Sequence, residues 1–419
     1  MTDARPFAPS EVDLSQCVRC GLCLPHCPTY VETGLETESP RGRLYLIRAL
    51  TEDLVQPTEN ALGHLDQCLQ CRNCEAVCPS GVPYGRIMEH ARADAIERGA
   101  APASWRLRRA FLREVVAKPA RLRAFVAALR LSQSLGLTGV AERLPFAGEM
   151  ASLAPRARGE SFTRTGVVGR PEGETEARVA MLSGCIMPLT YGPVHRATVR
   201  VLARNGCEVN VPKSQVCCGA LHAHNGDLET ARDLARRNID AFLAEKPDAI
   251  VVNSAGCGAA MKEYDRLLVH DPEYGARAAD FSRLVKDVHE FLVDLPFVPP
   301  TGSVDAVVTY QDSCHLAHAQ RITAAPRAIL NSIPGLRFVE MANADRCCGA
   351  AGVYSLTQPE MSLALIDHKM TDVDATGTDF IATANPGCLA QLDAGVRRSG
   401  GEAIVRHVIE LLDRAYRAS

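Results

Sequence analysis

Two cysteine-rich stretches near the start of the chain decide the fold of its first part: CVRCGLCLPHCP (Cys17–Pro28) and CLQCRNCEAVCPSG (Cys68–Gly81). Each contains the run C-x2-C-x2-C-x3-C-P, the spacing in which three thiolates bind one [4Fe–4S] cluster and the fourth binds its neighbour. Structural zinc sites also use C-x2-C pairs, but such a site needs only two pairs, whereas each run here has four cysteines and a terminal proline. The two runs therefore predict a two-cluster electron-transfer module.

The ligands of the two clusters follow from the exchange found in two-cluster ferredoxins, where the last cysteine of each run crosses to the other cluster. In this chain the same exchange predicts one cluster on the first run and one on the second. The first would be bound by Cys17, Cys20, Cys23 and Cys78, and the second by Cys68, Cys71, Cys74 and Cys27.

Length and composition limit the function classes. A chain of 419 residues with 47% hydrophobic residues predicts two or three folded domains, and a formal charge of −3 argues against nucleic-acid binding. The 17 cysteines could indicate a disulfide scaffold, yet the chain is too long for that small secreted class and opens without a basic or apolar leader. We therefore expect metal-ligating thiols in a reducing cytoplasm. No apolar stretch is long enough to cross a bilayer, so any membrane contact would be peripheral.

The segments outside the cysteine runs suggest how the chain is organised. Residues 1–95 form the cluster module, which we predict to be mostly helical because Leu44, Ile47, Leu50 and Leu54 are spaced for one helix face. Residues 96–176 comprise a basic helical connector and an exposed linker. The arginines of the connector are suited to binding anionic lipid. The connector could equally form a helical bridge that packs between the two halves of the chain, and this bridge is the favoured interpretation.

An internal repeat organises the rest of the chain. ARVAMLSGC (Ala177–Cys185) matches DAVVTYQDSC, VCCGA matches RCCGA, and DAIVVNSAGC matches DFIATANPGC. Equivalent cysteines are separated by 129, 130, 130 and 131 residues, which indicates a duplication into residues 177–300 and 301–419.

Each copy alternates short apolar strands with longer helical patterns, which predicts parallel α/β units of the Rossmann-like kind with right-handed crossovers. The cysteines would then lie just past the carboxyl ends of strands, where open α/β sheets bind their ligands, and near helix N-termini that favour thiolates. Burial alone would explain Cys207, which has no equivalent in the other copy, but not four matched positions. The candidate metal or cluster ligands are Cys185, Cys217, Cys218 and Cys257 in the first copy, and Cys314, Cys347, Cys348 and Cys388 in the second.

The doubled CCG pattern after two ferredoxin runs resembles the iron–sulfur subunits of flavin-linked dehydrogenases, and the bacterial glycolate oxidase family in particular. The similarity covers nearly the full chain. Related families are the third subunit of anaerobic glycerol-3-phosphate dehydrogenase and the cysteine-rich heterodisulfide reductase subunits. The stretches that carry the resemblance are SPRGRLYLI (Ser39–Ile47), HLDQCLQCRNCEAVCPSGV (His64–Val82), SAGCGAAMKEY (Ser254–Tyr264), CCGAAGVYSLTQPE (Cys347–Glu360) and HVIELLD (His407–Asp413).

The resemblance implies a fold class and a function. The fold would be α/β with an N-terminal, mostly α-helical two-cluster ferredoxin domain and duplicated CCG domains. The chain would pass electrons from FAD-binding partner subunits that oxidise glycolate to a membrane quinone, at the inner face of the cell membrane. It has neither a G-x-G-x-x-G motif after a strand nor a P-loop, so we expect FAD on the partners only and no substrate catalysis by this chain alone. Alternatives are an electron-transfer subunit for lactate or glycerol-3-phosphate, a thiol–disulfide reductase subunit, and a zinc scaffold.

One departure from the heterodisulfide reductase pattern matters. That pattern ends in C-x2-C and supplies five thiolates, whereas here Ser254 and Asn385 stand at the first place of the pair. Four thiolates suit an ordinary [4Fe–4S] cluster or a zinc ion, and the sequence does not decide between these two metal centres. Four histidines follow cysteines of the quartets: His222, His224, His315 and His318. Their side chains suit hydrogen bonding to cluster sulfur or proton transfer. Ordinary surface or capping roles are the favoured interpretation.

Overall fold

The computed structural model describes residues 5–136, 153, 156 and 159–418. Within these ranges the chain forms a helical N-terminal module, a helical connector and two mixed α/β units. Predicted linker residues 151, 152, 154, 155, 157 and 158, and the end of the predicted connector (137–145), lie outside the described residues.

The N-terminal module is helical, and its core forms around α3. Ser39 caps this helix by accepting a hydrogen bond from the Gly42 amide, and Pro40 occupies its first turn, where a missing N–H costs nothing. The helices are α1 (Glu11–Ser15), α2 (Pro28–Thr33), a 3₁₀ turn (Glu36–Glu38), α3 (Pro40–Thr51), α4 (Glu59–Asp66), α5 (Asn73–Ala76) and α6 (Tyr84–Glu97). Leu44, Ile47 and Leu50 are buried as expected, but the prediction for Leu54 is wrong: α3 ends at Thr51, and Leu54 is 74% exposed.

The connector touches both halves of the molecule. It consists of α7 (Ala103–Phe111), a π-helical turn (Leu112–Val116) and α8 (Pro119–Ser134). Arg108 pairs with Asp66 of the N-terminal module at 2.8 Å, and Arg113 forms a two-pronged ion pair with the fully buried Asp227 of the first repeat. These arginines hold the connector between the two parts.

The expectation of an exposed linker up to residue 176 is wrong in one respect. Residues Gly166–Gly169 form strand β1, which pairs antiparallel with β3 (Cys207–Val211) at the edge of the first sheet. Val168 and the preceding Phe162 are buried against this sheet. The segment therefore contributes to the core of the first repeat.

The first repeat builds a five-stranded sheet in the order β1-β3-β2-β4-β5, parallel apart from β1. Helices cover its faces and connect its strands. After β1 its elements are β2 (Ala177–Met181), α9 (Met187–Thr190), α10 (Gly192–Arg204), β3, α11 (Ala220–His224), α12 (Leu228–Leu243), β4 (Ala249–Val252), α13 (Ala255–Lys262), α14 (Tyr264–Leu267), α15 (Gly275–Leu284), β5 (Val285–Asp287) and α16 (Val288–Asp294).

The second repeat builds a four-stranded, all-parallel sheet in the order β7-β6-β8-β9. Apart from β1, this is the strand order of the first repeat, so the two copies share topology as well as sequence. Its elements are β6 (Ala306–Tyr310), a π-helical turn (His315–Ala319), α17 (Ala324–Asn331), β7 (Leu336–Phe338), α18 (Tyr354–Thr357), α19 (Pro359–Asp374), β8 (Phe380–Thr383), α20 (Pro386–Ser399), β9 (Ile404–His407) and α21 (Val408–Arg417).

The two repeats share one hydrophobic core. The first long helix of one copy packs against the last helix of the other: α10 against α21, and α17 against α16. An ion pair between Arg200 and the buried Asp413 reinforces the first of these contacts at 2.7 Å. This exchange has the pattern of a two-fold symmetric dimer interface, although both halves belong to one chain.

The repeat pattern in the sequence did not include the last strand of each copy. VKDVHEFL (residues 285–292) and VRHVIELL (405–412) occupy equivalent places, each with a capping box at the start of the final helix. Asp287 and His407 are the two cap residues, and Glu290 and Glu410 close the boxes. The matching glutamates were a usable signal for the end of the repeat.

Candidate electron-transfer sites

The first predicted cluster site is an open cavity of about 450 Å³ at the surface of the N-terminal module. Cys17, Cys20, Cys23 and Cys78 line it together with Cys74, so the last cysteine of the second run faces the first run. Cys20 is exposed. Apolar side chains of Leu44, Val82 and Tyr84 form the inner wall.

The second predicted cluster site is a more enclosed cavity of about 310 Å³. It is lined by Cys27, Cys68, Cys71 and Cys74, so the last cysteine of the first run faces the second run. The hydroxyl of Tyr84 donates to Cys68 Sγ at 3.8 Å, and the amide of Gln70 donates to the same sulfur at 3.4 Å. Hydrogen bonds of this kind tune the potential of a cluster bound by such a sulfur.

The residues present fit two [4Fe–4S] clusters. Each cavity offers four thiols of the required type in an apolar enclosure, and burial raises the pKa of the Cys71 and Cys74 thiols well above its usual value. Bare thiols there are neutral, whereas a bound metal ion holds its ligands as thiolates, so loading with iron releases protons.

A buried ion pair that the sequence analysis did not single out supports the second cavity. Arg43 lines this cavity, is 1% exposed, and pairs with the buried Glu38. It also donates to Thr29 Oγ1 at 3.0 Å, and that hydroxyl lies 3.3 Å from Cys27 Sγ. The guanidinium thereby fixes α2 and the 3₁₀ turn around the crossing cysteine.

The first repeat brings its four predicted cysteines together. Cys185 follows β2, Cys217 and Cys218 follow β3, and Cys257 lies in the first turn of α13 after β4. The thiols of Cys185 and Cys217, of Cys217 and Cys218, and of Cys218 and Cys257 lie close enough to shift each other's pKa. The adjacent strands β2 and β4 are where the strand order reverses, the place where open α/β sheets bind ligands.

The second repeat shows the same arrangement with Cys314, Cys347, Cys348 and Cys388, whose thiols again shift the pKa of their neighbours in that order. The neighbouring Cys347 lowers the pKa of the Cys314 thiol, but burial together with the nearby Cys71, Cys388 and Cys348 raises this pKa to about 11. The CCG turn needs its glycine. Gly349 has φ +88°, and a Cβ on it would stand 2.7 Å from the backbone oxygen of Ser362.

Ser254 and Asn385, which replace the fifth thiolate of the five-cysteine pattern, face each other across the two copies. Asn385 Nδ2 donates to Cys388 Sγ at 3.8 Å, and its Oδ1 accepts from the Gly256 amide at 3.1 Å. Ser254 Oγ donates to the same oxygen at 3.5 Å. These two side chains therefore connect the neighbourhoods of the two quartets.

The four histidines are held in specific contacts, not spread over the surface. His222 is fully buried beside Asp227, with 3.4 Å between Nδ1 and Oδ2, and His224 Nδ1 lies 2.7 Å from Glu89 Oε1. His315 Nε2 donates to the Gln70 carbonyl, and His318 Nε2 to the Asp345 carbonyl, both at 3.0 Å. The favoured expectation was an ordinary surface or capping role, and its surface part is wrong for His222 and His318, which are buried.

Two kinds of feature are absent from the residues that the structure describes. No group of three or more His, Cys, Asp or Glu side chains among them is placed to bind a single metal ion. None of their helices combines the length and the apolar character needed to span a bilayer.

Family models match the chain in the regions of these sites. A 4Fe-4S dicluster domain matches residues 13–82, and a cysteine-rich domain (CCG) matches twice, over residues 179–262 and 308–393. The boundaries enclose all sixteen candidate ligands described above.

Relatives match over nearly the whole length. The chain is 41% identical to the probable glycolate oxidase iron–sulfur subunit of Bacillus subtilis (strain 168), and 34% identical to the glycolate oxidase iron–sulfur subunit of Escherichia coli (strain K12). Both alignments cover 96% of this chain and 94% of the relative. It is also 30% identical to one of the subunits of the fumarate reductase (CoM/CoB) of Methanothermobacter marburgensis, over 96% of this chain and 72% of that protein.

Among solved structures, a hypothetical protein from Helicobacter pylori has a similar fold, with a TM-score of 0.58 at 9% identity. The match covers 92% of this chain and 69% of that chain.

Proposed function

The chain belongs to the family of glycolate oxidase iron–sulfur subunits, and on that basis we propose that it carries electrons from FAD-binding partner subunits to a membrane quinone. The partners oxidise glycolate in this proposal, and this chain binds no substrate. It acts at the cytoplasmic face of the membrane as a peripheral subunit.

The observation that carries the proposal is the pair of cavities with exchanged cysteines. One is lined by Cys17, Cys20, Cys23 and Cys78, the other by Cys27, Cys68, Cys71 and Cys74. A [4Fe–4S] cluster in each would supply one-electron redox chemistry, which complements a flavin that accepts two electrons as hydride. The chain would hold each cluster by thiolates. Cys20 of the first site is exposed, whereas Cys27, Cys68 and Cys74 of the second are buried.

For the two CCG quartets we propose a four-thiolate centre in each copy. Their donor set suits an ordinary [4Fe–4S] cluster, with zinc as the alternative by ligand type. The described cysteines are not placed around one metal ion, and this observation favours the larger cluster over zinc. A disulfide-reducing role is disfavoured because Ser254 and Asn385 supply no fifth thiolate. Quantifying iron, zinc and sulfide in the purified chain distinguishes the two metals.

The test of the function uses the chain with and without its partners. Purified alone, it should show iron–sulfur absorbance and reversible reduction but no turnover of glycolate, because it has no flavin- or nicotinamide-binding motif. With the FAD-binding subunits added, it should restore electron delivery to a quinone analogue. Oxidation of a hydroxy acid by the isolated chain would overturn the assignment.

The substrate of the partner subunits needs a separate measurement. A second candidate is lactate, because lactate utilization protein A of Shouchella clausii (strain KSM-K16) is 32% identical over 56% of this chain. Co-purification from the native cell, followed by assays of the captured flavoprotein with glycolate and with lactate, decides between them.

A further inference from the structure

We propose that the quartet of the second repeat, and not that of the first, exchanges electrons directly with the site containing Cys71, and that His315 bridges the two. This inference rests on the proposed function, since both sites must hold iron–sulfur clusters. It adds an order of transfer and a bridging residue within the chain.

The second quartet lies against the second cavity of the N-terminal module. Cys71, Cys314 and Cys347 belong to one apolar cluster, closed by Leu69 and Tyr354. Cys71 is close enough to interact electrostatically with both Cys347 and Cys314. Two clusters held by these thiolates would therefore be neighbours.

A single hydrogen bond completes a path between the two ligand sets. His315 follows Cys314 in the chain, and Gln70 precedes Cys71. His315 Nε2 donates to the Gln70 carbonyl at 3.0 Å, so the path from one ligand to the other runs through two chain neighbours and one hydrogen bond.

The surrounding contacts fix this junction. Arg72 pairs with Glu263 of the first repeat at 2.8 Å, and Arg321 donates to the Ala76 carbonyl at 2.8 Å. Tyr354, seven residues after Cys347, donates to the Gln67 carbonyl at 3.0 Å. The loop carrying Cys71 is thus held on both sides of the His315 contact.

The equivalent place in the first repeat is used differently. Ile186 follows Cys185 where His315 follows Cys314, and Cys185 and Ile186 pack with Leu122 and Val126 of α8. The connector, and not the Cys71 loop, covers that side of the first quartet. The contact between Ser254 and Asn385 joins the two quartets. In this proposal the first quartet therefore receives its electrons through the second.

Electron balance needs no further reactant. One electron leaves the reduced site containing Cys71 and reduces the centre of the second quartet. In this step no covalent bond changes and no proton moves, and His315 keeps its hydrogen bond to the Gln70 carbonyl. The order is the Cys71 site, then the second quartet, then the first.

The experiment compares matched cysteine variants of the full chain loaded with iron and reduced with dithionite. The readout is the spin–spin splitting between the Cys71 site and its neighbour in the EPR spectrum. In addition to the splitting between the two N-terminal sites, we expect one that is lost in Cys388→Ser and kept in Cys257→Ser. Cys348→Ser and Cys218→Ser form a second matched pair if the first variants fail to fold.

The outcomes separate this inference from the proposed function. A splitting lost in Cys257→Ser and kept in Cys388→Ser overturns the inference alone. Zinc in the second quartet also overturns it, while electron transfer through the N-terminal cavities stands. No iron in the N-terminal cavities overturns the proposed function itself.

The bridging role of His315 has its own variants. In His315→Leu, rapid freezing after partial reduction should show slower redistribution of electrons from the Cys71 site, with unchanged iron content. His315→Gln should restore the rate, because its amide can donate to the Gln70 carbonyl. His318→Leu is the control, since His318 bonds to Asp345 within its own repeat. Equal rates in His315→Leu and the unchanged chain overturn the bridge.

Discussion

The exchange of Cys27 and Cys78 between the two cysteine runs gives a test at the scale of single residues. Cys27 lies in the cavity of the second run and Cys78 in that of the first. We expect Cys27→Ser to lose or alter the cluster bound by Cys68 and Cys71, and Cys78→Ser to alter the other. Iron content and the EPR signal of each reduced cluster report which one is affected. If Cys27→Ser alters only the signal of the Cys17 site, the exchange is wrong.

Arg43 gives a second test, of stability. Its charge is fully buried beside Glu38, so Arg43→Met removes one of the two partners of this buried carboxylate and leaves only His64. Removing one partner of a buried pair costs about 4 kcal/mol of unfolding free energy. Denaturant unfolding of the N-terminal module measures this loss.

The control for that test is two residues away. Arg41 pairs with Glu36 at the surface, where solvent weakens an ion pair, so Arg41→Met should leave the unfolding midpoint nearly unchanged. Equal destabilisation by the two variants would show that burial of Arg43 does not govern its contribution.

At the scale of elements, the packing of α10 predicts a pH effect. His195 on this helix is fully buried, and burial lowers its pKa to about 4; its Nε2 donates to the Ser183 carbonyl at 3.0 Å. In the unfolded chain a histidine becomes protonated below about pH 6.5, whereas in the folded protein His195 becomes protonated only near its lowered pKa. Between these two pH values the unfolded state therefore binds more protons than the folded state. Stability therefore falls as the pH falls through this window, by about 3 kcal/mol for His195 alone.

The measurement compares unfolding free energies at about pH 7.5, above this window, and at about pH 4.5, near its lower end, for the unchanged chain and for His195→Gln. Glutamine keeps a donor for Ser183 but does not titrate, so the variant should lose less stability on acidification. The same pH dependence in both proteins would show that His195 does not contribute to acid unfolding.

The elements also show what the sequence could predict. The cysteine spacing predicted the two cluster sites because the ligands of one cluster lie close together in the chain. The internal repeat predicted the parallel α/β units because equivalent strands in the two copies keep the same pattern of apolar residues. Strand β1 was missed because GVVG is short, flanked by glycines and placed at a sheet edge. The contact of Gln70 with His315 joins positions 245 residues apart, and no local pattern reports it. The ion pair of Arg43 with Glu38 was missed for a different reason, since an arginine within a helix usually faces water.

At the scale of the whole molecule, the shared core makes each repeat dependent on the other. Val288 and Leu292 of the first copy are buried in the same cluster as Ile329 and Leu330 of the second. A chain ending at residue 300 would expose Val288 and Leu292, which the second copy covers in the full chain. Burial of each such side chain contributes about 2 kcal/mol to the free energy of unfolding. We expect this fragment to bind the dye ANS and to lack near-ultraviolet circular dichroism from its repeat. Cooperative unfolding of a native-like fragment would contradict the prediction.

The exchange of first and last helices between the repeats has a consequence for how such a chain can be encoded. The peptide link between α16 and β6 brings together two units whose complementary faces already specify their pairing, and it acts mainly by raising their effective concentration. The same architecture is therefore accessible to two separate polypeptides, or to a homodimer of a single repeat. When both repeats lie in one chain, their amino-acid sequences need not be identical. Equivalent positions can then carry different residues, as His315 and Ile186 do.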